Sequence, residues 1–225
     1  IREARVQASR SADENIITKL IVRAADVQIK IEVTPVMRGA VYDPAMTDVA
    51  PAVESEFGFA TTLVVSAADL YAGKIVAALD RQHPRDLFDV RDLLAHEGIS
   101  DELRRAFLVY VISHNRTMAE ILAPTRKPIA EEFERNFAGM TNEPVALADL
   151  ELARETIITM MVADMPQDHR NFLMGFKRGE PDWALLGLPD AQKLPAVQWK
   201  QRNLALLPTI KRHELVDRLQ KVLFP

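Results

Sequence analysis

Cysteine is absent from the 225 residues, which excludes disulfide scaffolds, thiolate zinc sites and cysteine nucleophiles. Glycine is scarce, with eight residues, and none sits in a Gly-x-Gly-x-x-Gly fingerprint or a P-loop. The common glycine-rich phosphate cradles are therefore excluded, and no Gly-x-Ser-x-Gly elbow occurs either. The five histidines, His83, His96, His114, His169 and His213, show no His-x-x-x-His spacing, so a zincin motif is missing. No apolar run approaches the ~18–20 residues of a bilayer span, and no signal-peptide pattern opens the chain. No membrane partner is expected, and a cytoplasmic location suits the cysteine-free composition.

What is present is an ordinary globular composition. Hydrophobic residues are 48% and charged residues 27%, with 28 basic against 32 acidic side chains for a net charge of −4. At roughly 100–200 residues per domain, one large or two small domains are expected. The first third reads as strands. Thr18 to Ala24 and Val27 to Thr34 are apolar runs separated by Ala25-Asp26, the pattern of a hairpin. In the second run Val27, Ile29, Ile31 and Val33 alternate with Gln28, Lys30, Glu32 and Thr34, which gives one apolar and one polar face. Arg38-Gly39, Asp43-Pro44 and Pro51 mark a loop, and Thr61 to Val65 reads as a third strand.

The remainder reads as helices. Ser66-Ala67-Ala68-Asp69 has the form of a capping box and opens a helix to about Arg81. His83-Pro84 breaks it, and Pro84 suits the first position of a second helix ending near Gly98. Further helical patterns span about 101–114, 128–139, 147–164, 167–178 and 209–223. The expected fold class is α+β, divided into residues 1–98 and a helical domain over residues 99–225.

Charge is concentrated near the carboxy terminus. Lys193, Lys200, Arg202, Lys211, Arg212, Arg218 and Lys221 face only Glu214 and Asp217 over that stretch, a local +5. Trp199 lies among them, and cations beside an aromatic suit phosphate contacts and base stacking. A solvated helix surface with one anchoring tryptophan explains the same pattern.

The densest polar segment runs from Lys74 to Asp89. Lys74 and Arg81 are two turns apart and lie within about 20° of each other on a helix. Flanked by Ala77 and Ala78, they form a line of cations with room for phosphates, or an ordinary charged surface. On the next helix Leu87, Val90 and Leu94 make the core face, and Arg85 can pair with Asp89 at i,i+4. Asp86 falls at the edge of the apolar stripe. It is either a partly desolvated carboxylate that serves as base or orients Lys74, or a first-turn cap. Glu32, on the polar face of its strand, is either a carboxylate for a hard cation or simply solvated.

These residues resemble a known family. Asp69-Leu70-Tyr71-Ala72-Gly73-Lys74, Ala77-Ala78-Leu79-Asp80-Arg81 and Pro84-Arg85-Asp86-Leu87-Phe88-Asp89 resemble the AbiEii/AbiGii nucleotidyltransferase-like toxins. Lys30-Ile31-Glu32-Val33 with Arg38-Gly39 looks like the family's strand-borne motif. Phe172-Leu173, Gly179-Glu180-Pro181-Asp182-Trp183, Leu194-Pro195-Ala196-Val197 and Trp199-Lys200 extend the resemblance over most of the chain. It implies a polymerase-β-like nucleotidyltransferase sheet followed by a mostly helical bundle. It also implies the toxin of a bacterial type IV toxin–antitoxin, abortive-infection system for phage defence, with a DNA-binding antitoxin encoded nearby. The implied reaction is Mg²⁺-dependent transfer of a nucleotide from an NTP to an RNA, tRNA in some members. By position, Glu32 is the implied third metal carboxylate and Lys74 the triphosphate ligand. Arg81 and Arg85 assist with phosphates, Asp86 is the essential acid and Asp89 completes its motif, while Lys200 and Arg202 are expected to bind RNA.

One part of the family pattern has no counterpart. A Gly-Ser or Gly-Gly followed by paired Asp-x-Asp, whose carboxylates hold the metals, is not found. Ser9-Arg10-Ser11-Ala12-Asp13-Glu14 is the nearest acidic neighbourhood. The sequence is expected to be either a truncated member, which Ile1 as first residue favours, or a degenerate one, with an incomplete catalytic sheet and capable of binding rather than turnover. The alternative to a transferase is a non-catalytic RNA- or partner-binding helical module.

Overall fold

The computed structural model describes residues 4–10, 17–32 and 37–225. The chain divides into two compact units, residues 1–38 and 39–225.

The first unit holds an antiparallel sheet of β1 (Arg5–Arg10), β2 (Ile17–Ala24) and β3 (Val27–Glu32), in that order. The expected hairpin is present, turning at Ala25 with φ of +49°. β1 was not expected from sequence, and Val33 and Thr34 lie outside the described residues. Register explains the faces. Val6, Val22 and Ile29 stand in one row across the sheet, and Ala8, Leu20 and Ile31 in the next. Residues directly opposite share a face, so one side of this sheet is apolar. Lys30 and Glu32 lie on the other.

In the second unit β4 (Ala45–Asp48) pairs antiparallel with β5 (Thr61–Val64), and α1 (Pro51–Phe57) connects them. The segment read as a loop therefore contains a strand and a short helix. Twelve helical or turn segments follow at residues 67–223, and they hold the core. These include α2 (Ala67–Arg81), α3 (Pro84–His96), α4 (Asp101–Ile112), α5 (Met118–Leu122), α6 (Ala130–Asn136) and α7 (Leu147–Ile158). α7 continues into a π-helical turn, Thr159–Ala163, and α8 (Gln167–Arg178) and α9 (Trp183–Leu186) come next. A 3₁₀ turn (Pro189–Lys193), α10 (Pro195–Ala205) and α11 (Thr209–Leu223) complete the chain.

Packing joins helices across residue 98. α2 packs on α4 and α3 on α7, while α8 packs on α11 within the later helices. Ile75, Leu79, Leu87, Leu93, Phe107, Leu108 and Phe172 are fully buried. α3 turns Leu93 rather than Leu94 fully inward. At Gly175 a Cβ would stand 2.8 Å from the Glu180 carbonyl oxygen, so glycine allows the chain after α8 to fold closely back.

Two polar knots position the α2–α3 hairpin. Ser66 Oγ accepts from the Asp69 amide at 3.0 Å, as a cap should. The reciprocal half of the expected box is replaced. The Asp69 carboxylate accepts instead from the Val41 and Tyr42 amides at 2.8 and 3.0 Å, from Ser66 Oγ at 2.9 Å and from Tyr110 OH at 3.2 Å. The second knot is Gln82, left-handed at φ +53° and buried. Its amide nitrogen donates to the Thr125 carbonyl at 2.8 Å. Its oxygen accepts from the Lys127 amide at 3.0 Å and from Arg154 Nη1 at 3.3 Å. The corner between α2 and α3 is thus fixed from outside the hairpin.

Candidate functional site

Lys74 and Arg81 lie on one side of α2, as their two-turn spacing predicts, and that side faces α3. Lys74 Nζ donates to Asp89 Oδ2 at 2.7 Å. Arg81 grips Asp86 through two bonds, Nε to Oδ2 at 3.0 Å and Nη2 to Oδ1 at 2.6 Å. Bidentate guanidinium–carboxylate pairs are the strong, directional kind. The four side chains alternate in charge along the helix pair, and their exposure differs. Asp86 is buried beneath Arg81, whereas the Lys74 and Asp89 side chains are 42% and 33% exposed. An incoming anion can therefore reach both cations, Lys74 and the more exposed Arg81, while the Asp86 carboxylate stays covered.

Several expected pairings differ. The partner that orients Lys74 is Asp89, not Asp86, because α3 presents Asp89 one turn further along. The Arg85–Asp89 pair is replaced, since Arg85 donates from Nε and Nη2 to the Asn136 carbonyl, each at 3.3 Å. Asp86 does not cap α3 either. His83 Nδ1 takes that role, accepting from the Arg85 amide at 3.2 Å, while its Nε2 lies 3.0 Å from Glu132. The Asn136 amide and His83 beside Glu132 hold its carboxyl below the usual range.

Glu32 lies on the polar face of the first unit's sheet, opposite Lys19 and 2.7 Å from Lys30. The hydrogen bond and charge of Lys30 hold its carboxyl below the usual range. Asp13 and Glu14 are outside the described residues. Among the described residues no three His, Asp or Glu side chains converge. By themselves these residues do not make a divalent-cation centre.

The two expected RNA-binding cations of α10 separate. Arg202 and the 44%-exposed Trp199 project outward, away from the buried line of Val197 and Leu204. Lys200 turns inward to a pocket it shares with Lys177 of α8. Lys177 was not singled out from sequence. It follows Phe176 on the margin of the apolar stripe of α8, where only the fold reveals its neighbour.

The sequence profile described as Nucleotidyl transferase AbiEii toxin, Type IV TA system, matches residues 2–203. The chain belongs to this family. The AbiEii match covers Glu32, Lys74, Arg81, Arg85, Asp86, Asp89, Lys177, Lys200 and Arg202. Among solved structures, MenT4, a nucleotidyltransferase toxin from Mycobacterium tuberculosis H37Rv, is similar with a TM-score of 0.51 and 17% identity. That match covers 89% of this chain and 68% of the other. At such identity the likeness concerns the fold, and it agrees with the α+β class expected from sequence. No curated protein matches the chain. A type IV toxin family implies an antitoxin partner and a nucleotide substrate. No helix among the described residues is long and apolar enough to cross a membrane.

Proposed function

We propose that this AbiEii chain supplies the phosphate-gripping part of a toxin that transfers a nucleotide from an NTP to an RNA, with tRNA the acceptor class to test first. The family match over residues 2–203 carries this reading. Lys74 offers a compact charge to the triphosphate by exchanging Asp89 for a phosphate oxygen. Arg81, held in plane by Asp86, offers a fork. Both offset the charge that gathers on the departing pyrophosphate, the main electrostatic demand of such transfers. Asp86 is essential because without it Arg81 loses its fixed direction. Arg85 stands beside that corner, and Asp89 keeps Lys74 extended. Mg²⁺ and Glu32 belong to the reading by family, as do phage defence, a cytoplasmic location and a DNA-binding antitoxin encoded nearby. The nucleotidyltransferase-like part runs to about residue 98, and the helices of residues 99–225 carry the acceptor through Lys200 and Arg202.

The test is incubation with each α-labelled NTP, cellular RNA and Mg²⁺, followed by electrophoresis. Label enters RNA, and Lys74→Ala and Asp86→Ala each lower the rate by about 10²-fold or more. Absence of label in every RNA, together with absence of NTP binding, sinks the transferase reading. RNA retention without transfer supports the second reading, a binding module, which the outward pair of Trp199 and Arg202 favours.

A further inference from the structure

A pocket of about 160 Å³ opens between the turn after α4 and helices α8 and α10. Phe176 and Leu204 form its apolar floor. Asn115, Thr117 and Asn203 line it with neutral polar groups, and no carboxylate lines it. Arg116, also on its wall, is already engaged by Asp80 at 3.0 Å. Lys177 and Lys200 differ. Both are half-buried, both line the pocket, and neither has an anionic partner within 4.0 Å among the described residues. Burial pushes both ammonium groups down, and Lys200 adds its repulsion at Lys177.

Two cations drawn out of water beside each other are costly unless an anion offsets them. Pockets for whole small-molecule ligands measure about 300–1,000 Å³, so this one is too small for a nucleotide. It suits a single tetrahedral oxyanion, with amide and hydroxyl donors to complete the shell.

We propose that Lys177 and Lys200 form a binding site for one phosphate group, supplied either by the backbone of a nucleic acid or as free phosphate. The site is separate from the Lys74–Asp89 and Arg81–Asp86 pairs, and it rests on the RNA-transferase reading only for the first of those sources. It also separates Lys200 from Arg202: the former clasps a phosphate from the pocket, and the latter meets solvent.

The experiment uses the full chain, its K177M/K200M variant and K177R/K200R as a charge-keeping control. In one arm inorganic phosphate is titrated while amide chemical shifts and the melting temperature are followed. In the other, a short unreactive RNA is bound over a range of salt. For the free-phosphate source, wild type and K177R/K200R gain melting temperature and show shifts at Asn115, Thr117 and Asn203, and K177M/K200M does not. For the nucleic-acid source, K177M/K200M alone weakens RNA binding, with the slope against log salt falling by about 0.7 for the lost phosphate contact. Either result supports the site. If neither arm separates K177M/K200M from wild type, the site is overturned. Should K177M/K200M fail to fold, wild-type shifts decide: no response at those three residues to phosphate or RNA also overturns it. Label transfer is read separately through Lys74→Ala, so loss of the transferase reading leaves this result interpretable.

Discussion

The strands and the helices of this chain carry apolar side chains with opposite fates. Among the described residues, every hydrophobic residue of the buried core lies between Ala68 and Leu223. β4, α1 and β5 bury none, although they contain Met46, Val53, Phe57, Leu63 and Val64, which are all exposed. Val27, Ile29 and Ile31 of β3 are exposed as well. The difference teaches what a hydrophobic pattern does and does not specify. Alternation sets which face of a strand is apolar, but a two-stranded ribbon is marginal by itself and needs a second layer. An amphipathic helix among other helices finds its cover in the same chain, as α2 does against α4.

Core substitution gives the widest separation between the two regions. Phe107→Ala removes a fully buried ring and is expected to cost about 3–5 kcal/mol. Leu63→Ala, on an exposed strand, is expected to stay within about 0.5 kcal/mol. Urea unfolding of both variants measures the contrast. A Leu63→Ala cost near that of Phe107→Ala would break it and point to cover over β5.

Asp69 is where the polypeptide leading into β4 is tied to the helices. Replacing it by alanine removes the shared acceptor of the Val41 and Tyr42 amides at once. Orphaned buried donors cost about 1–3 kcal/mol each before relaxation, so Asp69→Ala is expected to lose roughly 2–4 kcal/mol. Hydrogen exchange at residues 41 and 42 should accelerate more than exchange within α4. Equal acceleration at both would show that Asp69 supports the core generally and does not act as a specific anchor.

The same residue shows how far the sequence could be read. Ser66 and Asp69 gave the start of α2 because a cap is a local interaction. The partners of Asp69 lie 27 and 28 positions earlier, and no spacing rule reaches them. The two-turn line of Lys74 and Arg81 was legible as helical geometry, whereas their choice of Asp89 and Asp86 depends on how α3 docks after the left-handed Gln82. Pro84 signalled the second helix, yet the cap came from His83, whose ring mimics an Asx acceptor. α10 went unread because only Val197 and Leu204 of its eleven residues are buried, too few for a helical period. Family resemblance identified the transferase pattern, but Lys177 needed tertiary packing to become visible.

A smaller effect tests whether the helical region tolerates charge inside it. His169 is 6% exposed, and its Nδ1 has no partner among the described residues. Burial pushes its pKa down, with Asp101 opposing and Arg104 and Arg105 assisting. The unfolded chain therefore takes up the proton first, near pH 6.5. This contribution is fully present above that pH and is lost as pH falls toward the folded-state pKa. Melting temperatures between pH 8 and pH 5 should drop more steeply for wild type than for His169→Leu. Parallel curves would mean that the ring takes up its proton equally in the folded and the unfolded chain.

The smallest stability effect is expected at the residues with the largest proposed functional one. Lys74 and Asp89 are exposed enough that their pair resembles a surface salt bridge, with a coupling of about 0.2–1 kcal/mol. A double-mutant cycle of Lys74→Ala, Asp89→Ala and the combined variant measures it by urea unfolding. If the charges on α2 and α3 serve only to join the hairpin, loss of activity must follow loss of stability. Lys74→Ala then behaves like Asp89→Ala in both assays. If Lys74 grips phosphate, Lys74→Ala abolishes transfer at nearly unchanged stability. Asp89→Ala keeps the cation and loses only its orientation, so it falls between Lys74→Ala and wild type. That ordering separates a charge kept for packing from one kept for a substrate, on the most solvent-accessible ion pair of the site.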